Sequence, residues 1–203
     1  MKHCLLNPIP EIFETAIILN QLVLELKNEN FEKVKSILVS SNKIEIRNWT
    51  EALWGQGGIY SNLVQMHGLP ETISEEFRDP LRMPNKSMES ELIKRDGHFC
   101  RFCGIPVIRK EIRVFLNKLF PNELFWGKSN QNQHAAFQAM WMQYDHIVPH
   151  TRGGKTEISN LVISCAPCNY GRVNFNLEEI GLTLLERQQH IIKNWNGLED
   201  LLH

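Results

Sequence analysis

Two stretches decide how this 203-residue chain reads: Tyr144-Asp145-His146-Ile147-Val148-Pro149, and Cys165-Ala166-Pro167-Cys168-Asn169. Gly153-Gly154 and Ser159-Asn160-Leu161 lie between them, and Cys100-Arg101-Phe102-Cys103 lies upstream. Two C-x-x-C pairs supply four thiolates, the number that tetrahedral zinc takes in a closed structural site. Each pair makes a tight turn that aims both sulfurs at one point, and Gly104 and Pro167 suit such turns. Structural Zn2+ is therefore expected at Cys100, Cys103, Cys165 and Cys168, with its binding energy spent largely on folding. Plain buried thiols, a redox dithiol and iron held by the same four ligands are the competing readings. The polar residues between the pairs, Asp145, His146 and the two asparagines, suggest a second metal that does chemistry.

Composition sets the frame. Apolar residues make up 42% of the chain, enough for an ordinary core. No run approaches the eighteen or so uncharged apolar residues of a membrane span, and no apolar run suited to a signal peptide precedes Glu11. The expectation is a soluble cytoplasmic protein with no membrane partner. Five cysteines, four of them in C-x-x-C spacing, suit a reducing compartment better than a disulfide scaffold; Cys4 is left over. The net charge of -1 hides a division along the chain: residues 1–85 carry -3, residues 86–176 carry +5 and residues 177–203 carry -3. The positive charge thus sits in the segment with the motifs, as a local phosphate-binding surface requires.

The rest reads as mainly helical. Apolar residues recur near the helical period over 11–39, with a polar break at 27–30, and Trp49, Ala52, Leu53 and Trp54 predict another short helix ended by Gly55-Gln56-Gly57-Gly58. That glycine cluster lacks the Lys-Ser/Thr of a phosphate-cradling loop and reads as a turn. Prolines at 70, 80 and 84 mark the expected boundary between an N-terminal helical region, 1–84, and a second region, 85–203. Further helices are predicted at 87–95, capped by Ser87 or Ser90, at 135–144 and at 177–193. Residues 104–144 form an insertion between the first cysteine pair and the Asp-His pair.

Taken together, Asp145-His146-Ile147-Val148-Pro149, Gly153-Gly154, Asn160-Leu161 and Cys165-x-x-Cys168-Asn169 resemble the HNH endonucleases, members of the ββα-metal (His-Me finger) nucleases, over roughly residues 94–175. The third position of the name motif is Asn here, a common variant. The resemblance implies an α+β fold: a zinc-stabilised ββα core attached to a helical N-terminal region. It also implies phosphodiester hydrolysis in DNA with Mg2+ or Mn2+. Asp145 and Asn169 would bind that metal, His146 would be general base, and Asn160 would brace the hairpin and orient the histidine through a backbone hydrogen bond. The residue types fit the chemistry, because a neutral imidazole accepts a proton from water and carboxylate and amide oxygens suit a hard cation. Arg152, Lys155, Arg172 and His150 are candidate nucleic-acid contacts, with Arg172 the leading one for charge at the cleaved bond. His134 reads as a surface or packing residue, and Gln131, Gln133 and Gln138 as a solvated face able to read base edges.

Three functional readings remain at this stage. The first is a DNA endonuclease of the kind used in restriction or anti-phage defence. The second is a non-catalytic zinc module that binds nucleic acid. The third is a nuclease subunit active only in a complex, through a partner protein or homodimer contacting the N-terminal helices.

Overall fold

The computed structural model describes residues 2–186, 192 and 194–202. Five helices come first: α1 (Pro10–Leu19), α2 (Leu22–Lys27), α3 (Phe31–Ser41), α4 (Ile44–Trp54) and α5 (Ile59–His67). Pro10 starts α1, where a missing N–H costs nothing. In α4, Ile46, Trp49, Thr50 and Leu53 share one buried face at helical spacing. After an extended segment the chain forms α6 (Lys86–Asp96), α7 (Lys110–Leu119) and α8 (Ala135–Ala139). Strands β1 (Met142–His146) and β2 (Leu161–Cys165) then pair antiparallel, and α9 (Ala166–Arg172) follows β2 directly. The fold is α+β: mainly helical, with one small sheet.

The register pairs Met142 with Cys165, Asp145 with Val162 and His146 with Leu161. A two-stranded ribbon leaves both outer edges open, and here both are filled. On the β1 side, Met142 N–H donates to Ile108 O, and Ile108 N–H to Met140 O. On the β2 side, Ile163 N–H donates to the Asp96 carboxylate, Ile163 O accepts from Arg101 N–H, and Leu161 O accepts from Arg95. The ribbon is thus held by α6 and the first cysteine turn rather than by a third strand. One hydrophobic core takes in residues on both sides of position 84, from Ile12 and Leu53 to Phe137 and Ile163.

Several sequence expectations need correction. The helix expected at 135–144 stops at Ala139, because residues 142–146 are claimed by pairing with β2. Its apolar residues satisfy both periodicities, and the partner strand decides. The helix expected at 177–193 is a single turn of 3-10 helix at Glu178–Ile180, ended by Gly181 at φ 64°; residues 187–191 and 193 lie outside the described residues. Helix α6 is capped by Asn85, whose Oδ1 accepts from Met88 N–H at 3.0 Å, and not by Ser87 or Ser90. Helix α5 was not anticipated. His134 is fully buried and bonds to Leu38 O at 2.8 Å, tying α3 to α8. Gln138 is likewise buried, which removes it from any solvated face.

Candidate active site

The four cysteines converge. Cys100, Cys103, Cys165 and Cys168 are all buried, and their sulfurs lie within 4.8 Å of one another. The Cys103 and Cys165 sulfurs are 3.7 Å apart. Four thiolates around a zinc at about 2.3 Å would be separated by about 3.8 Å, so the cluster has the dimensions of a tetrathiolate site. Burial, with Cys100 and Cys103 beside it, pushes the Cys165 thiol well above its usual range. A cation at the centre would draw all four sulfurs to the thiolate form. Gly104, at φ 78°, closes the first turn, and its N–H donates to Cys100 O. The second turn is the start of α9, with Pro167 in its first turn and the Cys165 sulfur accepting from Cys168 N–H.

The hairpin and α9 also border a cleft of about 220 Å3. Asp145, His146, His150 and Asn169 line it together with Tyr170, Arg82 and Met83. Asp145 and His146, though adjacent on β1, both reach it, because the strand ends at His146 and the chain turns away.

Asp145 is buried, and its Oδ1 accepts from Arg172 Nη2 at 2.7 Å. Its Oδ2 is buried with no partner among the described residues. Burial pushes this carboxyl up against the pull of Arg172. A buried acceptor left open is costly unless something supplies it with charge or a proton. Asn169, half-buried one turn into α9, lines the same cleft, and its side chain makes no hydrogen bond among the described residues. An anionic oxygen and an amide in one cleft are the donor set of a hard divalent cation, so the residues fit such an ion.

His146 is 8% exposed, and burial, with His150 and Arg172 beside it, lowers its pKa to about 4. Its Nε2 lies 2.9 Å from Thr156 Oγ1. The Thr156 hydroxyl has one proton, and that proton is donated to Leu81 O. Nε2 must then carry a hydrogen and donate it to Thr156, which leaves the lone pair on Nδ1. Thr156 is itself held by its N–H, which donates to Asp79 Oδ2 at 2.8 Å. His150 Nε2 donates to Asp79 O at 2.7 Å, and the His146 and His150 ring centroids are 5.6 Å apart. The segment 79–83, expected to be a mere boundary, therefore borders the cleft through Arg82 and Met83, and holds His150 and Thr156 through Asp79 and Leu81.

Asn160 lies outside the cleft lining. Its side chain accepts from Val148 N–H at 2.9 Å and donates to Val148 O at 3.1 Å and Lys155 O at 2.9 Å, while its own O accepts from Ile147 N–H. It locks the loop between the strands; the partner of the imidazole is Thr156. Gly154 lets the loop close, since a Cβ there would fall 1.8 Å from Val148 O, and Gly153 supplies φ 89°.

Burial overturns one of the expected phosphate contacts, and an ion pair engages another. Arg172 is 1% exposed and spends its Nη1 and Nη2 donors on Asp145, His146 O, Phe175 O and Ile147 O, so it cannot meet a phosphate. Arg152 is held by Glu179 at 2.5 Å. Lys155 is exposed on the hairpin loop, outside the cleft. The cation that does border the cleft is Arg82, exposed and without a hydrogen-bond or ion-pair partner among the described residues. Sequence reading missed it because it lies sixty residues upstream of the motif.

This hairpin-helix unit, with its Asp-His pair and terminal cysteine turn, is matched by a known family. Residues 132–174 match the family model for HNH endonuclease. Comparisons with curated proteins and with solved structures gave no match. The HNH segment takes in α8, β1, β2 and α9, hence Asp145, His146, Thr156, Asn160 and Asn169. Cys100, Cys103 and the residues 79–83 that complete the site lie outside it. The matched family is one of endonucleases, and among the described residues no helix is long and apolar enough to cross a membrane.

Proposed function

We propose that this chain is a metal-dependent endonuclease that hydrolyses phosphodiester bonds in DNA, with zinc in the four-cysteine cluster as a structural ion. The observation that carries the reading is the shared cleft: a neutral imidazole, a buried carboxylate oxygen without a partner and an unpaired amide face one space. A module that merely bound nucleic acid would need none of the three.

In this reading His146 takes the proton from the attacking water at Nδ1, since Nε2 is committed to Thr156. Its depressed pKa keeps it free of a proton at neutral pH. Asp145 and Asn169 would hold Mg2+ or Mn2+, which supplies charge stabilisation at the phosphate and the departing 3′ oxygen. Arg172 fixes Asp145 in place and leaves Oδ2 available. Arg82 takes the phosphate-neutralising role that the sequence suggested for Arg172, with His150 and Lys155 as further contacts along the backbone. Asn160 keeps the loop closed so that Thr156 stays under the ring.

The test is cleavage of supercoiled plasmid by zinc-loaded protein with Mg2+ or Mn2+. The wild-type chain should nick or linearise the DNA, and chelation of the added divalent ion should stop it. His146→Ala should lower the rate by about 10²–10⁴-fold with zinc content unchanged. Full activity in that variant would remove His146 from the mechanism.

A further inference from the structure

A second cleft opens beside the first, and the two share Tyr170. It is an open hollow of about 400 Å3, lined by Trp54, Tyr60, Asn130, Gln133, Trp141 and Tyr170. Tyr170 follows Asn169 on α9 and is 42% exposed. Trp54, the last residue of α4, meets it edge-on with ring centroids 4.7 Å apart, and Trp141 stands 6.4 Å away.

These rings are fixed rather than loosely placed. Trp126 packs edge-on against Trp141 at 5.7 Å. The Arg113 guanidinium lies 3.5 Å from the centre of the Trp126 ring and 5.1 Å from that of Trp141. Arg113 is buried and has no hydrogen-bond or ion-pair partner among the described residues, so the two indoles are what its charge faces. A platform held this way needs little ordering when a ligand arrives. Two amides border the same space. Gln133 Nε2 donates to Gly127 O at 3.0 Å, which leaves Oε1 open, and the Asn130 side chain is uncommitted among the described residues.

Aromatic faces with amide groups at the edge are the chemistry that recognises a nucleobase: the π face stacks and the polar edge hydrogen-bonds. A base inside a duplex has both faces covered by its neighbours, so only an unpaired base can enter. A strand leaving such a base across Tyr170 runs directly into the cleft that holds Asp145, His146 and Asn169. We infer that this cleft binds an unpaired nucleobase of the substrate strand beside the scissile phosphate. The inference deepens the nuclease reading and rests on it for the identity of the substrate.

The test uses the full-length, zinc-loaded His146→Ala chain, so that substrate is bound and not consumed. Fluorescence anisotropy would compare a short labelled DNA strand, the same strand with one abasic nucleotide moved along it, and the blunt duplex. The intact strand should bind on the order of tenfold more tightly than the duplex, and one abasic position should lose about that factor. Trp54→Ala should weaken the strand and leave the duplex unchanged, and Tyr170→Ala should also weaken the strand. Should a variant fold poorly, the abasic scan reads the same site with its aromatic side chains intact. Equal binding of strand and duplex, or an abasic scan with no position of loss, overturns the inference. If the wild-type chain shows the abasic loss yet cuts nothing in Mg2+ or Mn2+, the hydrolytic reading falls and the base site stands.

Discussion

Two buried aspartates, Asp145 in the hairpin and Asp96 beside it, are opposites. Asp96, the last residue of α6, has both oxygens filled: Oδ1 by Arg95 at 2.7 Å and Arg101 at 2.8 Å, Oδ2 by Arg95 at 2.6 Å and Ile163 N–H at 3.2 Å. Burial works against its charge, but the arginines and the amide outweigh burial and hold the carboxyl below its ordinary range. Asp145, on β1, has one arginine on one oxygen and nothing on the other, and burial pushes it up. The saturated carboxylate fastens α6 and the first cysteine turn to β2. The half-filled one borders a cleft beside an imidazole and an amide. The same residue type is structural where its hydrogen-bonding capacity is used up, and is available for chemistry where some of it is left over. Position on a helix makes the point sharper. A carboxylate at a helix C-terminus opposes the dipole, so Asp96 is tolerated there only because two guanidinium groups surround it.

Exchanging each aspartate for its amide should break the pair in opposite ways. Asp145→Asn should lower plasmid cleavage by about 10²-fold or more while the protein still folds, because it removes charge from the site the cation would use. Asp96→Asn should act on stability, by about 3–5 kcal/mol in chemical denaturation, because it leaves the buried Arg101 and half-buried Arg95 without a counter-charge. A folded, fully active Asp145→Asn, or an Asp96→Asn as stable as wild type, would erase the distinction.

Acid should sharpen it. Asp96 has a folded pKa below its ordinary value of 3.8, so its stabilisation is present above that value and is lost as pH falls through the lower folded pKa. The stability gap between wild type and Asp96→Asn should therefore be widest near neutrality and close as pH falls below 3.8.

The smallest effect expected is at Thr156, which touches the reaction only through His146. Thr156→Ala should cost roughly tenfold in rate, less than the 10²–10⁴-fold that the general base itself supplies, and Thr156→Ser should restore it. A Ser variant as impaired as Ala would assign the loss to packing of the missing methyl group.

What the sequence disclosed follows from chain locality. The Asp-His pair, the Gly-Gly turn, Asn160 and the second cysteine turn fall within one continuous stretch, and their types and order were enough to place a ββα unit there. What it hid arrives from a distance. Arg172 reads as a phosphate ligand because a basic residue on a short helix next to a site is usually exposed; only the fold shows that its guanidinium lies under β1, bonded to Asp145. Asp79, Leu81 and Arg82 sit in a proline-rich stretch that reads as a linker, and nothing local tells that it borders the cleft and accepts the Thr156 hydroxyl. Nor does composition reveal that Trp54 and Tyr170, more than a hundred residues apart, meet edge to edge.

The account turns on the unfilled oxygen of Asp145, and binding of Mn2+ to zinc-loaded protein, followed by electron paramagnetic resonance, reads it most directly. One Mn2+ should bind per wild-type chain, Mg2+ should compete for the same place, and Asp145→Asn should abolish or greatly weaken the binding with zinc retained. Mn2+ held equally well by Asp145→Asn, or by neither protein, would contradict the account.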